Sequence, residues 1–379
     1  MSELLYSINR DRLKPWNDLP LLPIHEGLYQ TVEIYDQLGR AKAALGKLQG
    51  RSIAIPNQGL LINSISLQEA KASSAIENIF TTDDELYKAY SEESSHAAQL
   101  NGPPKEILKA REALWDGFNY LKGRSGFDKE YFIRIFQEIK ETKDEIRLPL
   151  TETVIRQAGS GLNAGQVIYT PPRGEGIIEA KLDNLLDFVN DDKKYAIDPL
   201  LKMAIAHYQF ESIHPFRDGN GRTGRIFNIH CLTQKELLDF PILFLSRYII
   251  DNKEDYYAGL MGVSQRGNWK AWILYMLRAV EATSNITYRK INDIISSKDS
   301  MLHYIRSKNK KIRQPERLVE LLFTQPYIKV KHLTDAKLYA EVTARNYLNE
   351  LAEMRVLEKK SIEGRHYYLN QELFRILSE

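Results

Sequence analysis

The chain has 379 residues, 43% of them hydrophobic and 27% charged, and 52 basic against 50 acidic side chains leave a net charge of +2. That length suffices for two or three domains with sizeable cores, and the near-neutral balance singles out no charged partner for the chain as a whole. The lone Cys231 excludes an internal disulfide framework, and no run approaches the roughly 20 apolar residues of a membrane span, so the sequence reads as soluble, unsecreted and cytoplasmic.

Apolar residues recur at three- and four-residue spacing through most long segments, which predicts helices. In chain order these are 31–48 ("TVEIYDQLGRAKAALGKL"), 61–80 ("LINSISLQEAKASSAIENIF"), 128–141, 177–191 and 199–213. The last is apolar on nearly every face and is expected to run through the core. "LNGPPKE" at 100–106 reads as a linker. Between 158 and 176, Gly-rich ends flank a β-favouring run, Gln166 to Thr170, closed by Pro171 and Pro172, which predicts a hairpin or flap. From about residue 311 three short amphipathic patterns and "VLEKKSIEGRHYYLN", read as two strands around a turn, resemble a winged-helix module. Residues 301–379 hold 15 basic and 10 acidic side chains, so a nucleic acid or a protein are both fitting partners for that module.

The chemistry concentrates in "HPFRDGNGRTGR", residues 214–225. Gly219, Gly221 and Gly224 are expected to take positive φ angles and let the backbone approach a ligand, so that successive N–H groups cradle an anion before the helix predicted in "RIFNIHCLTQKELL". Arg222 and Arg225, three apart, share a face and reach different phosphates of one chain. A Walker A loop fails because Arg225 and Ile226 follow Gly224, and a calcium loop from Asp218 fails at Arg222, Thr223 and Ile229. Zinc on His214 lacks local partners, His207 and His230 reading as core or surface histidines. What remains is a phosphate cradle with an imidazole at its entrance and a carboxylate, Asp218, suited to Mg²⁺.

These twelve residues resemble the signature of Fic-domain proteins, His-x-Phe-x-(Asp/Glu)-Gly-Asn-Gly-Arg-x-x-Arg. The resemblance implies a mainly α fold, a Fic helical core with a small β-hairpin flap plus the C-terminal winged-helix domain. It also implies an ATP-dependent nucleotidyltransferase that moves AMP onto a hydroxyl of a target protein. In that picture His214 is the base, Asp218 holds Mg²⁺, the amides of Gly219 to Arg222 form the anion hole, Asn220 fixes the loop, and Arg222 and Arg225 grip the phosphates alongside Thr223 and Gly224. Phe216 anchors the loop. "SSAIEN", with Ser73, Glu77 and Asn78, resembles the family's inhibitory motif, whose Glu pairs with the second loop arginine, here Arg225. The segment around Gln166–Pro172 resembles the flap that aligns a target by strand addition, although the family's Trp-Ile-Gly-Gly lead-in is replaced by Gln157-Ala158-Gly159-Ser160-Gly161. Tyr257, with Asp251 or Asn252, resembles the adenine contacts.

The expected division is 1–110 for an N-terminal helical region with the inhibitory helix, 111–300 for the catalytic core and 311–379 for the winged-helix module. Partners are ATP, the target protein, DNA or protein at 311–379 and further copies of the chain, with no membrane. Two other readings fit the same loop: a Fic enzyme that removes AMP or transfers another phosphate-containing group, and a DNA-binding regulator that uses the domain to sense nucleotide.

Overall fold

The computed structural model describes residues 5–53, 58–96, 101–156, 165–362 and 364–379. Helix α1 (Val32–Ile53) buries Ile34, Leu38, Ala41, Leu45 and Leu48, a three-and-four stripe, against the long α11 (Trp269–Lys308). Next come α2 (Gln58–Ile76) and α3 (Asp83–His96). Helix α4 (Pro103–Leu121) begins inside the segment read as a linker. Gly102 turns the chain at φ 71, and the two prolines then open the helix, where a fixed φ suits the first turn and no N–H is lost. Helix α5 (Lys129–Lys140) is capped by the Asp128 carboxylate, which accepts from the Tyr131 N–H at 2.7 Å.

The flap is a two-stranded antiparallel ribbon, β1 (Ile155–Arg156) with β2 (Val167–Tyr169), Ile155 opposite Tyr169. The Gly-rich stretch 157–164 lies outside the described residues. After α6 (Ile177–Asn190), α7 (Pro199–Ile213) buries every residue except Pro199 and Glu211, as its all-round apolar pattern predicts. Against it pack α6, α8 (Asn220–Gln234) and α11, and α10 (Lys253–Arg266) reaches it through Tyr256, while α9 (Leu245–Asp251) packs on α2 and α11. Trp272 of α11 donates its indole N–H to Ala204 O at 2.8 Å and so ties the longest helix to the central one.

The C-terminal part contains α12 (Pro315–Leu322), β3 (Tyr327–Ile328), α13 (Val330–Asp335), α14 (Glu341–Glu353), β4 (Glu358–Ile362), β5 (Arg365–Leu369) and α15 (Gln371–Ser378). The three helices and the hairpin were legible; β3, too short for a periodic pattern, and α15 were not. The strands form an antiparallel sheet in the order β3-β5-β4. This module sits on α3: Tyr327 bonds Asp84, while Lys329, Arg365 and Tyr367 converge on Glu92. Among the described residues no helix is long and apolar enough to cross a membrane.

Candidate active site

Helix α7 ends on His214, held in the left-handed region at φ 50 and ψ 60, and a short loop leads to α8. Two pins fix that loop. Phe216 is fully buried and stacks face to face on Phe136 with centroids 4.2 Å apart. Asn220 accepts from the Phe216 N–H at 2.9 Å and donates to Phe216 O at 2.8 Å, closing the turn on itself.

Of the three loop glycines only Gly219 has a positive φ, +79. Helix α8 starts at Asn220, five residues earlier than the predicted one, so Gly221 and Gly224 are helical, and close approach of side chains takes the place of a positive φ there. A Cβ on Gly221 would lie 2.3 Å from Glu77 Oε1, and one on Gly224 would lie 2.4 Å from Glu211 Oε1. With glycine at its N-cap, α8 has no side-chain cap, and its first-turn N–H groups lack partners within the helix, the arrangement that attracts an anion.

His214 is half-buried, and its Nδ1 lies 3.4 Å from Glu211 O. A carbonyl can only accept, so the proton sits on Nδ1 and Nε2 keeps its lone pair. Burial, joined by the Arg147 guanidinium, pushes the imidazole down to about 4, so it is neutral at physiological pH. Arg147 in turn is buried and donates to His214 O at 2.9 Å, Ile213 O at 3.2 Å and Pro172 O at 2.5 Å, which ties the loop after α7 to the flap.

His214, Glu211, Gly221, Arg225 and Glu77 line one side of a cavity. Its other walls are Ile155, Ile168 and Tyr169 of the flap and Tyr256, Tyr257, Leu260 and Met261 of α10. Tyr257 therefore reaches the cavity. Asp251 does not: it pairs with Arg247 at 2.8 Å on the surface, and Asn252 bonds back to Tyr248 O at 2.9 Å.

The Arg222 side chain is only 3% exposed, yet its nearest acid, Glu106, stands 3.5 Å from Nη1 and out of line for a hydrogen bond. Its Nε and Nη1 lack hydrogen-bond partners among the described residues, an unmet donor pair that an anion would satisfy. Thr223 is fully buried. Asp218 is exposed, and its carboxylate accepts from Lys140 Nζ at 2.6 Å and from the Gly219 N–H at 2.6 Å. Burial would raise its pKa, but Lys140 outweighs that and holds it low. No cluster of three or more metal-ligating side chains occurs among the described residues. One ionised carboxylate beside a phosphate cradle suits a cation that keeps waters and binds phosphate oxygens, as Mg²⁺ does.

Arg225 is buried and triply held. Its Nε donates to Ser73 Oγ at 2.9 Å, and its Nη2 donates to Ser73 O at 2.9 Å and to Glu77 Oε1 at 2.8 Å. Burial works against the charge, but Glu77 leads the neighbours that raise its pKa, so the guanidinium stays charged. Helix α2 ends at Ile76, short of the predicted residue 80, and Glu77 lies in the turn where Asn78 takes φ 63. Asn78 Oδ1 is 3.4 Å from Lys253 Nζ.

His207 bonds Tyr256 OH at 2.8 Å, and His230 lies between Tyr131 OH and Leu114 O, so both are core histidines as expected. Sequence reasoning missed Glu211, Arg147 and Lys140. Glu211 carried a signal, since it stands three residues before His214 at the end of one helix; the other two come from distant segments.

Three family models match the chain: "Fic/DOC family N-terminal" over 35–119, "Fic/DOC family" over 127–232, and "Protein adenylyltransferase SoFic-like, C-terminal domain" over 298–373. Protein adenylyltransferase fic-1 of Caenorhabditis elegans is 32% identical over 135 residues, which is 36% of this chain and 24% of that protein's length. The match thus takes in about a quarter of that relative. A crystal structure of a Fic family protein from Desulfovibrio desulfuricans G20 superposes with a TM-score of 0.55 at 18% identity, covering 92% of this chain and 98% of the other. Fic-1 (aa134 - 508) from C. elegans superposes with a TM-score of 0.51 at 18% identity, covering 70% of this chain and 74% of that one. At that identity the two structures establish a shared fold.

Proposed function

The chain belongs to the Fic/DOC family, and on that premise we propose that it transfers AMP from ATP to a protein hydroxyl and is restrained by the Glu77–Arg225 pair. The observation that carries this reading is that a neutral imidazole, the glycine at the start of α8 and a buried arginine open on one cavity, which Glu77 enters from the end of α2.

His214 Nε2 takes the proton of the incoming hydroxyl. The oxygen attacks the α-phosphorus, an O–P bond forms, and the bond to the β-phosphate breaks with its electron pair leaving on pyrophosphate. The amides at the start of α8 and the unmet donors of Arg222 bind the phosphate oxygens throughout. Mg²⁺ on Asp218, when bound, supplies charge neutralisation at the phosphates. Arg225 can grip the tail only when Glu77 releases it, because both partners compete for the same guanidinium face. The flap near Gln166–Pro172 offers main-chain groups to an extended target segment, and Tyr257 packs on the base. We assign inhibition to 1–110, chemistry to 111–300 and a partner-binding role to 311–379, in a reducing cytoplasm.

The test is incubation of wild type, Glu77→Gly and Glu77→Gly/His214→Ala with α-labelled ATP and cell lysate. Label transfer to protein is expected to rise in the first variant and vanish in the second. Release of AMP from modified proteins in place of label transfer would assign the reverse reaction to this site, and the absence of both would remove the reading.

A further inference from the structure

The C-terminal module turns one face of its sheet to α3 and the other to α14. Side chains alternate along β5: Arg365 and Tyr367 reach Glu92 of α3, whereas Tyr368 OH points the other way and donates to Asn349 of α14 at 2.8 Å. The face turned away from α3 forms a groove between α13, α14 and the β4–β5 hairpin, with Lys331, Arg345, Lys359 and His366 among its lining side chains. One acid, Glu341, lines it too, and it is tied to Arg345 four residues on at 2.6 Å. Exposed pairs of that kind are weak and yield readily to a stronger anion.

Helix α14 is presented for insertion. It packs on α13 and β4, while Val342, Arg345 and Asn346 of its first turns are exposed, Val342 at 72%. A guanidinium fork, an amide and an apolar tip are the groups that read guanine, adenine and the thymine methyl. The second helix of a helix-turn-helix makes such contacts from its N-terminal residues. Lys331 at the start of α13 and Lys359 of β4, whose Nζ donates to Asn349 Oδ1 at 2.8 Å, stand on the two elements that pack against α14 and line the same groove, within reach of phosphates beside an inserted helix.

We propose that this groove binds double-stranded DNA, with α14 in the major groove and Lys331 and Lys359 on the flanking phosphates. The B-form major groove, about 12 Å wide, admits one helix, whereas the deep, narrow major groove of duplex RNA does not. A surface that paired with protein through the same residues would not separate these two duplexes.

The full chain is titrated into a fluorescein-labelled random-sequence 20-base-pair DNA duplex between 50 and 200 mM NaCl, with binding read by anisotropy. Binding is expected to weaken steeply with salt. Lys331→Ala/Lys359→Ala is expected to lose at least about tenfold in affinity at 50 mM and to flatten the log–log salt slope by about 2, near 0.9 per phosphate contact. Lys47→Ala, at an exposed position of α1 outside the groove, should bind as wild type does, and matched thermal melts confirm that the variants are folded. No salt-sensitive binding at 50 mM, an unchanged slope in the double variant, or equal affinity for an RNA duplex of the same sequence overturns the proposal. These outcomes are independent of AMP transfer.

Discussion

Glu77 and Arg225 are 148 positions apart in sequence, yet Glu77 Oε1 accepts from Arg225 Nη2 at 2.8 Å at the edge of the cavity that holds His214. A hydrogen bond to a charged group is worth about 1.5–3 kcal/mol, which corresponds to roughly 10- to 100-fold in a competing equilibrium. Glu77→Gly is therefore expected to raise the initial rate of AMP transfer by that factor at sub-saturating ATP. Equal rates in mutant and wild type, with both folded, would show that the pair does not gate the nucleotide.

A neutral imidazole is the second consequence of the geometry. Burial first, and Arg147 second, hold His214 at about 4, whereas a solvated imidazole titrates near 6.5. Because Glu77 is one of the groups that raise this value, its removal moves the titration lower still. In carbon-13 histidine spectra of Glu77→Gly, the His214 resonance, assigned by its loss in His214→Ala, should show no transition between pH 8 and pH 5. A midpoint near 6.5 would mean that the ring is solvated and that the loop stands open.

Much of this site was legible because its chemistry is compressed into adjacent residues. Phe216 and Asn220 fix the loop as the family resemblance implies, and the fully apolar pattern of 199–213 marks the central helix. Two errors have physical causes. Glycine signals either a positive φ or a missing Cβ, and spacing alone does not separate them, so the positive φ expected at Gly221 and Gly224 is absent while the close approach is present. The 61–80 pattern continues past Ile76 in composition, but the left-handed turn at Asn78 ends the helix and swings Glu77 toward Arg225. Arg147 and Lys140 were invisible because long-range closure of the fold, and no local pattern, brings them to His214 and Asp218.

Glu211 makes the cavity floor sensitive to pH. Its Oε1 is shut off from water without a hydrogen-bond partner among the described residues, and burial raises its carboxyl from 4.5 to about 7, with Arg225 opposing. A folded-state pKa above the unfolded one gives stability that is full below about 4.5 and lost as pH rises through about 7. The ionised group then costs up to about 3 kcal/mol at pH 8. Glu211→Gln, which never ionises, is expected to gain stability relative to wild type between pH 5 and pH 8 in urea titrations. A difference that stays constant across that range would place the carboxylate in contact with water.

Glu92 joins the C-terminal module, through α3, to the helix that carries Ser73 and leads to Glu77. It takes Lys329, Arg365 and Tyr367 on one side, and its own helix α3 holds α2 through Asp83, which pairs with Lys71 at 2.7 Å and accepts from Gln68 at 3.2 Å. Burial raises the Glu92 pKa, but Lys329 and Tyr367 outweigh it and hold the carboxylate low, so its contribution is present above about 4.5 and lost in acid. Glu92→Ala strands Lys329, whose side chain is 13% exposed, without its anion; breaking such a pair costs about 3 kcal/mol. A lower melting temperature is expected. Because α2 carries Ser73 and ends just before Glu77, loosening α3 should also raise AMP transfer in an otherwise wild-type chain and add nothing in Glu77→Gly, where the Glu77–Arg225 pair is already gone. A rise of equal size in both backgrounds would mean that Glu92 acts on the chemistry by a route that bypasses Arg225.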